Sequence, residues 1–401
     1  MPVPVLSARE ATSTASELAE RFAKGAAERD SDRILPVEEL DELGRSGLLA
    51  ITVPAEQGGA DLPVAAVAEV FRLLATGDPS IAQIPHSHFV YVNALRHAAT
   101  PAQQAFFFGE VLAGRRFGNA QSEIGTKHVR DFRTTLRPDP AHQTELWRLD
   151  GEKGYATGAL LADWIPVLAH LGVDGPMHVA WVEREAAGVT VVDDWNGMGQ
   201  RTTASGTVRL DDVAVAAERI TPYHVTFEGP QTYGAFAQLL HAAIDAGIAR
   251  AALRDAAEFV TTKSRPYPDA IAELGIERHA DDPTVVQAFG ELELAVRAAE
   301  ALVAEAARAV DRADAELNAD SAGAASLAVA AARGATTDAA LGTATRLFEV
   351  SGTRAALDSL NLHRHWRNAR THTLHDPAAW KVRHLGRWAL DGQLPPNHGQ
   401  L

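Results

Sequence analysis

Over residues 369–380 the chain reads ARTHTLHDPAAW, which sets His372 and His375 three apart and puts Asp376 directly before Pro377 where a final helical stretch begins. Two imidazoles and a carboxylate so close together can do proton chemistry, because imidazole changes charge near neutral pH and a carboxylate can orient it or act as a base. The local backbone divides the roles. Asp followed by Pro matches an N-cap followed by the first helical position, where the carboxylate accepts the N–H groups of the new helix. On that reading Asp376 is ionised, turned toward the helix backbone and poorly placed to reach a substrate carbon. His375 takes the exposed position. Beside a helix N-terminus the positive potential disfavours imidazolium, so the pattern predicts a neutral His375 that donates one hydrogen bond. His372, one turn earlier, orients the segment.

Other groups carry weaker signals. IPHSHFVYVNAL places His86 and His88 in a helix, where an imidazole can line a pocket or pack in a core. His363, His365, His372 and His375 lack the spacing of a histidine metal site, so no metal is predicted. TTKSRPYP gathers Lys263, Ser264 and Arg265 at a helix end stopped by Pro266, a set suited to a phosphate or to plain solvation. GMGQRTTASG has a Thr where the third glycine of a dinucleotide fingerprint belongs and no βαβ context, so nicotinamide binding is not predicted.

Composition narrows the classes further. With no cysteine among 401 residues, disulfides, thiolate metal sites and a cysteine nucleophile are excluded. A formal charge of −15 without a dense Lys/Arg run opposes binding to nucleic acid or an anionic membrane. No apolar stretch nears the roughly 20 residues of a membrane span, and the first residues carry no signal-peptide run, which predicts a cytoplasmic protein. Small-molecule chemistry is the remaining expectation.

These groups must be held by three blocks. Hydrophobic periodicity predicts helices over 7–29, 36–48, 63–76, 80–97 and 101–113. Short β-type runs follow, WRLDGEKGYATG with a hairpin turn at Asp150-Gly151, then WIPVLAHL, HVAWVE, GVTVVDDW and TVRLDDVAV. Long alanine-rich helices come last, one placing Phe236, Leu239, Leu240, Ala243, Ile244, Gly247, Ile248 and Ala251 on one stripe, with others at about 283–317, 321–350 and 376–391. The expected architecture is an α+β multidomain chain: an N-terminal helical domain over 1–115, a central β-barrel or sandwich domain over 116–220, and a C-terminal four-helix bundle over 221–401.

Along nearly its whole length the sequence resembles the acyl-CoA dehydrogenase family. RSGLLAITVPAEQGGADLP is similar to that family's first-module signature, GNAQSEIGTKHVRDFRT to its flavin-contacting strand, WRLDGEKGYATGALLADWIPVLA to its hairpin beside the flavin, and GMGQRTTASGTVRLDDVAV to the end of its β module. The tail HRHWRNARTHTLHDPAAWK resembles the reduced-flavin monooxygenase branch, that of dibenzothiophene monooxygenase and of sulfur-acquisition oxidoreductases linked to dimethyl sulfone use. Many of the dehydrogenases carry a glutamate base in the column of Asp376.

The resemblance implies a two-component monooxygenase that takes reduced FMN and O₂, forms a C4a-hydroperoxyflavin and oxygenates a small apolar substrate, with organosulfur compounds foremost. It implies that Thr157 faces the flavin N5 side and His375 faces it from the helical module. Asn119 and Ser122 would bond the flavin edge or the substrate, His88 would match a pocket histidine, and His372 would stand on the cofactor side. Arg265 and Arg354 match arginines that reach a flavin phosphate, Arg265 that of a neighbouring subunit. Arg354 in SGTR replaces a glycine-rich turn that admits a second phosphate, which favours FMN over FAD. A separate NAD(P)H-dependent flavin reductase and a homotetramer built as a dimer of dimers are implied as partners. Two alternatives stand beside this reading: an acyl-CoA dehydrogenase-like FAD enzyme with Asp376 as base, and a non-enzymatic ligand-binding descendant.

Overall fold

A computed structural model of the chain describes residues 2–128, 131–142 and 145–400. The first block holds α1 (Ala8–Ala23), α2 (Ala26–Asp32), α3 (Val37–Arg45), α4 (Val64–Gly77), α5 (Pro79–Gln83), α6 (His86–Ala98) and α7 (Pro101–Leu112). Two expected helices are split. The 7–29 stretch breaks at Lys24 and Gly25, and the 80–97 stretch breaks at Ile84 and Pro85, where proline's missing N–H stops a helix from running through. Asp78 caps α5 by accepting the N–H groups of Ser80 and Ile81. The break has a consequence for the site, because it aims Gln83 and His86 from separate helices.

The middle block is one curled sheet of β1 (Thr135–Pro138), β2 (Leu146–Lys153), β3 (Trp164–Leu171), β4 (Met177–Glu183), β5 (Val189–Val192), β6 (Thr207–Ala216) and β7 (Ile220–Pro222). Its order is β5-β6-β2-β1-β3-β4-β7, and among these described strands the β1/β3 pair alone is parallel. The hairpin turn expected at Asp150-Gly151 is absent. Instead β2 runs through both residues, with a register shift against β6 between Leu149 and Gly151. A side chain at Gly151 would overlap Thr134, so the glycine serves close strand packing at a bulge rather than a turn.

The last block packs α8 (Tyr233–Thr262), α10 (Pro283–Ala315), α11 (Ala319–Ser351) and α13 (Ala378–Asp391) as a bundle, with α9 (Pro268–Leu274) and α12 (Arg364–His372) as shorter connections. The main core runs continuously from α1 and α4 into α8, α10 and α11. Gly247 allows the α4–α8 contact: a Cβ there would lie 2.5 Å from the Arg72 carbonyl oxygen and from the Ala75 Cβ. Among the described residues no helix is long and apolar enough to cross a membrane.

Candidate active site

Three elements bring four histidines together. His86 opens α6, His241 lies in the first third of α8, and His372 and His375 bracket the end of α12. The His86 ring stacks on His241 at a centroid separation of 4.0 Å and 25°, and His375 lies tilted against the same ring at 3.9 Å and 39°, so the three make a bent stack with His86 and His375 6.3 Å apart. His86 Nε2 donates to the Ala237 carbonyl at 2.9 Å. His241 Nδ1 is 3.1 Å from His372 Nε2, and His372 Nδ1 is 2.6 Å from Asp245 Oδ1. The other Asp245 oxygen pairs with Arg333 at 2.6 Å, and neither side chain has any exposure. Burial pushes His86 down to about 3, drives His241 well below the usual imidazole range and lowers His372 despite the Asp245 carboxylate. The three inner rings are therefore neutral at pH 7.

Asp376 is not the helix cap. Pro377 occupies that position, and no side chain caps α13. The carboxylate turns inward, and its Oδ2 accepts from Gln238 Nε2 at 2.5 Å and from His375 Nδ1 at 3.3 Å. Burial pushes the Asp376 carboxyl up, but the hydrogen bond and charge of His375, the Lys381 ammonium and the Gln238 amide together outweigh it and hold the group at about 2. His375 stays half exposed, as its place after the helix end implies. Its donor role changes, however. With Nδ1–H directed at Asp376, the ring turns Nε2 outward, and that nitrogen offers a lone pair when neutral and a donor only when protonated.

The β module supplies a facing edge. Thr157 follows β2, and its hydroxyl lies 2.8 Å from Ser205 Oγ, itself 2.7 Å from Thr203 Oγ1. This chain continues through Gln200 to α12, where the Gln200 N–H donates to Asn368 Oδ1 at 2.7 Å. Gly158, at φ +72°, packs against Ile84 so closely that a Cβ would sit 3.0 Å from the Ile84 Cγ2, which sets the Thr157 turn beside the α5–α6 junction. Asn119 Nδ2 donates to the Tyr155 carbonyl at 3.4 Å, while its Oδ1 is buried without a hydrogen-bond partner. The Ser122 carbonyl accepts from the Gly154 N–H at 2.9 Å. Asn119, Ser122 and Thr157 thus share one edge. At the far end of α8, Arg354 Nη1 donates to the Lys263 carbonyl at 3.0 Å and Ser264 Oγ to the Ser351 carbonyl at 3.1 Å. This contact sets Arg265 and Arg354, both exposed, at one corner.

Comparison with known proteins agrees with this layout. Residues 8–115 match the model for the acyl-CoA dehydrogenase N-terminal domain, and residues 239–379 match that for the acyl-CoA dehydrogenase C-terminal domain. The dibenzothiophene monooxygenase of Rhodococcus qingshengii is 32% identical over 396 residues, covering 94% of this chain and 92% of that protein. The chain belongs to the acyl-CoA dehydrogenase family. Among its relatives there, the probable FMNH₂-dependent monooxygenase SfnC of Pseudomonas putida is 32% identical over 96% of each chain. The crystal structure of FMN-bound TdsC from Paenibacillus sp. A11-2 superposes with a TM-score of 0.90 at 32% identity, covering 98% of this chain and all of that one.

Against the family expectation, two placements need correcting. His88 is 1% exposed, with Nε2 on the Leu49 carbonyl at 2.9 Å and Nδ1 accepting from the Phe117 N–H at 3.1 Å, so both nitrogens are committed to packing. His86, two residues earlier, is the one in the stack. His372 is buried, with Nδ1 on Asp245 and Nε2 beside His241 and Gln83, so it supports the stack rather than facing a cofactor. The sequence reading missed Gln238, His241, Asp245 and Arg333. The signal for the first three was a polar stripe at i, i+3 and i+7 on α8, hidden beside the apolar one, whereas Arg333 comes from α11. Among the described residues no cluster of His, Asp or Glu is arranged to hold a metal ion.

Proposed function

We propose that the chain is a reduced-flavin-dependent monooxygenase that uses FMN and O₂ to oxygenate a small substrate, organosulfur compounds foremost. One observation carries the reading. In the column where a dehydrogenase's glutamate base is expected, the carboxylate of Asp376 is buried and pinned by Gln238, and the imidazole of His375 stands in the open position instead. An acid held inward beneath its neighbour's ring is badly placed to take a proton from a substrate carbon, which argues against the FAD-dependent alternative.

The residues present fit a phosphorylated flavin. The buried, unpartnered Asn119 Oδ1 can accept an N–H of a flavin ring, Ser122 and Thr157 lie along the same edge, and Arg265 with Arg354 offers cationic donors to a phosphate. When bound, reduced FMN supplies the activation of O₂. The protein supplies the rest. Asp376 orients His375, whose Nε2 can hold or deliver a proton at a reacting oxygen. The stacked, neutral rings of His241 and His86 close the site behind it, and Thr157 offers a hydroxyl from the opposite side. We further assign the reducing power to a separate NAD(P)H-dependent flavin reductase, the assembly to a homotetramer whose neighbours complete the phosphate site through Arg265, and the location to the cytoplasm.

The test is anaerobic binding of reduced FMN followed by rapid mixing with O₂. A flavin absorbance transient that outlasts that of free reduced flavin, and that decays faster with a substrate, is the expected result. Its absence, together with bleaching of bound FAD by an acyl-CoA, would move the assignment to a dehydrogenase.

A further inference from the structure

We propose that Asp245, His372 and His241 form a directional hydrogen-bond chain that fixes which nitrogen of His241 carries its proton, and that His241 is thereby the positioning residue for His375. The inference rests on the reading of His375 as the group that faces the reaction.

The chain begins at the Arg333–Asp245 pair. Both side chains are fully buried, and their 2.6 Å contact keeps the carboxylate ionised and able only to accept. Asp245 Oδ1 lies 2.6 Å from His372 Nδ1, so that nitrogen carries the hydrogen. A second proton on His372 would add a charge where no water reaches, so its Nε2 is a lone pair. That lone pair is 3.1 Å from His241 Nδ1, which must then be the N–H of His241. Gln83 Oε1 lies 2.9 Å from the same His372 nitrogen; an oxygen cannot donate to a lone pair, so the chain requires the Gln83 amide turned the other way, with its NH₂ toward His372. His241 Nε2 is left as a lone pair, and it is buried with no hydrogen-bond partner. The opposite tautomer would point two lone pairs at each other across 3.1 Å.

The chain thus dictates the state of the ring on which His375 lies. The centroids are 3.9 Å apart, so a charge on His241 would fall directly against His375, whereas a neutral ring gives it an aromatic face. Other charged and titratable groups around the stack offset one another or are neutral: Arg333 of α11 against Asp245 of α8, Lys381 of α13 against Asp376, with His86 of α6 neutral. Fixing His241 also fixes its ring plane, and with it the direction of His375 Nε2.

Two substitutions at one position separate the possibilities. His372→Gln keeps the polarity, since its amide NH₂ can donate to Asp245 and its oxygen can accept from His241, yet it cannot titrate. His372→Met removes both bonds. Ring-¹³C-histidine labelling of the ligand-free, full-length protein reports tautomer and titration by NMR without flavin or turnover. Wild type is expected to hold His241 in the Nδ1–H form across neutral pH. H372Q should keep that form and the His375 titration midpoint, whereas H372M should lose the single tautomer and move the midpoint.

An Nε2–H form of His241 in the wild type would overturn the proposal, and that measurement decides it even if H372M does not fold. An unmoved midpoint in H372M would reduce the chain to a packing feature. If H372Q proved as damaging as H372M, a proton moving through His372 would replace positioning. None of these outcomes depends on the oxygenase reading, whose own failure would show only in the O₂ experiment.

Discussion

At the scale of single residues, the site turns on the pairing of His375 with Asp376. Removing the imidazole by His375→Ala should leave the fold intact, because the ring is half exposed and packs mainly against His241. Oxidation of reduced FMN should then divert from product to H₂O₂, measured as the ratio of peroxide to product per flavin oxidised. Unchanged coupling with a confirmed substrate would remove His375 from the mechanism. Asp376 contributes to stability as well as orientation. Its folded pKa, held at about 2, lies below the unfolded value, so its pairing stabilises the fold above the unfolded pKa and is lost as pH falls through about 2. The gap between wild type and Asp376→Asn, on the order of 2 kcal/mol, should be constant above about pH 5 and close as pH drops from about 4 toward 2 in thermal melts. That His375 precedes a helix start was legible in the sequence from Asp-Pro, although Asp376 does not cap that helix and turns inward instead. The direction of its proton was not, because Gln238 reaches Asp376 from α8, a contact no local pattern encodes.

At the scale of elements, the helices and strands were largely legible from periodicity, since β3 and the long α10 and α11 fall close to where hydrophobic spacing puts them. What failed locally was glycine and proline punctuation under tertiary control. Gly151 resembles a turn but sits inside β2 because Thr134 crowds it, and Pro85 restarts a helix that looked continuous. The stripe on α8 is the same lesson: its small apolar face was read, and the polar face beside it carries Gln238, His241 and Asp245 of the candidate site. Since α8 is clamped between α4 and α11, its rotation about its own axis is what aims His241. Gly247→Val should wedge α4 from α8 at the Arg72 carbonyl and cost about 1–3 kcal/mol in urea unfolding. A loss well below that range would mean that α4 yields easily and that the aim of α8 depends on other contacts.

At the scale of the whole molecule, the distance between the chemistry and the phosphate corner becomes the question. His241 lies in the first third of α8, and Lys263 to Arg265 follow its C-terminus, so more than 20 residues of rigid helix separate the stack from the arginine proposed to grip a flavin phosphate. At about 1.5 Å per residue that is roughly 30 Å, longer than an FMN can bridge from a ring beside His375. Arg265 therefore fits a flavin held by a neighbouring copy better than one held by its own chain. A mixed assembly tests this directly. Arg265→Ala subunits keep a complete histidine stack, and His375→Ala subunits keep the arginine, so each alone should couple poorly. Co-expressed, some sites would combine an intact His375 with an intact Arg265 from the adjoining subunit, and activity should exceed the sum of the two parents. Activity equal to that sum would place Arg265 outside a shared site. A deficit in the Arg265→Ala parent that reduced FMN at high concentration repairs would tie the residue to affinity, where a charge-assisted phosphate contact is worth about 1.5–3 kcal/mol.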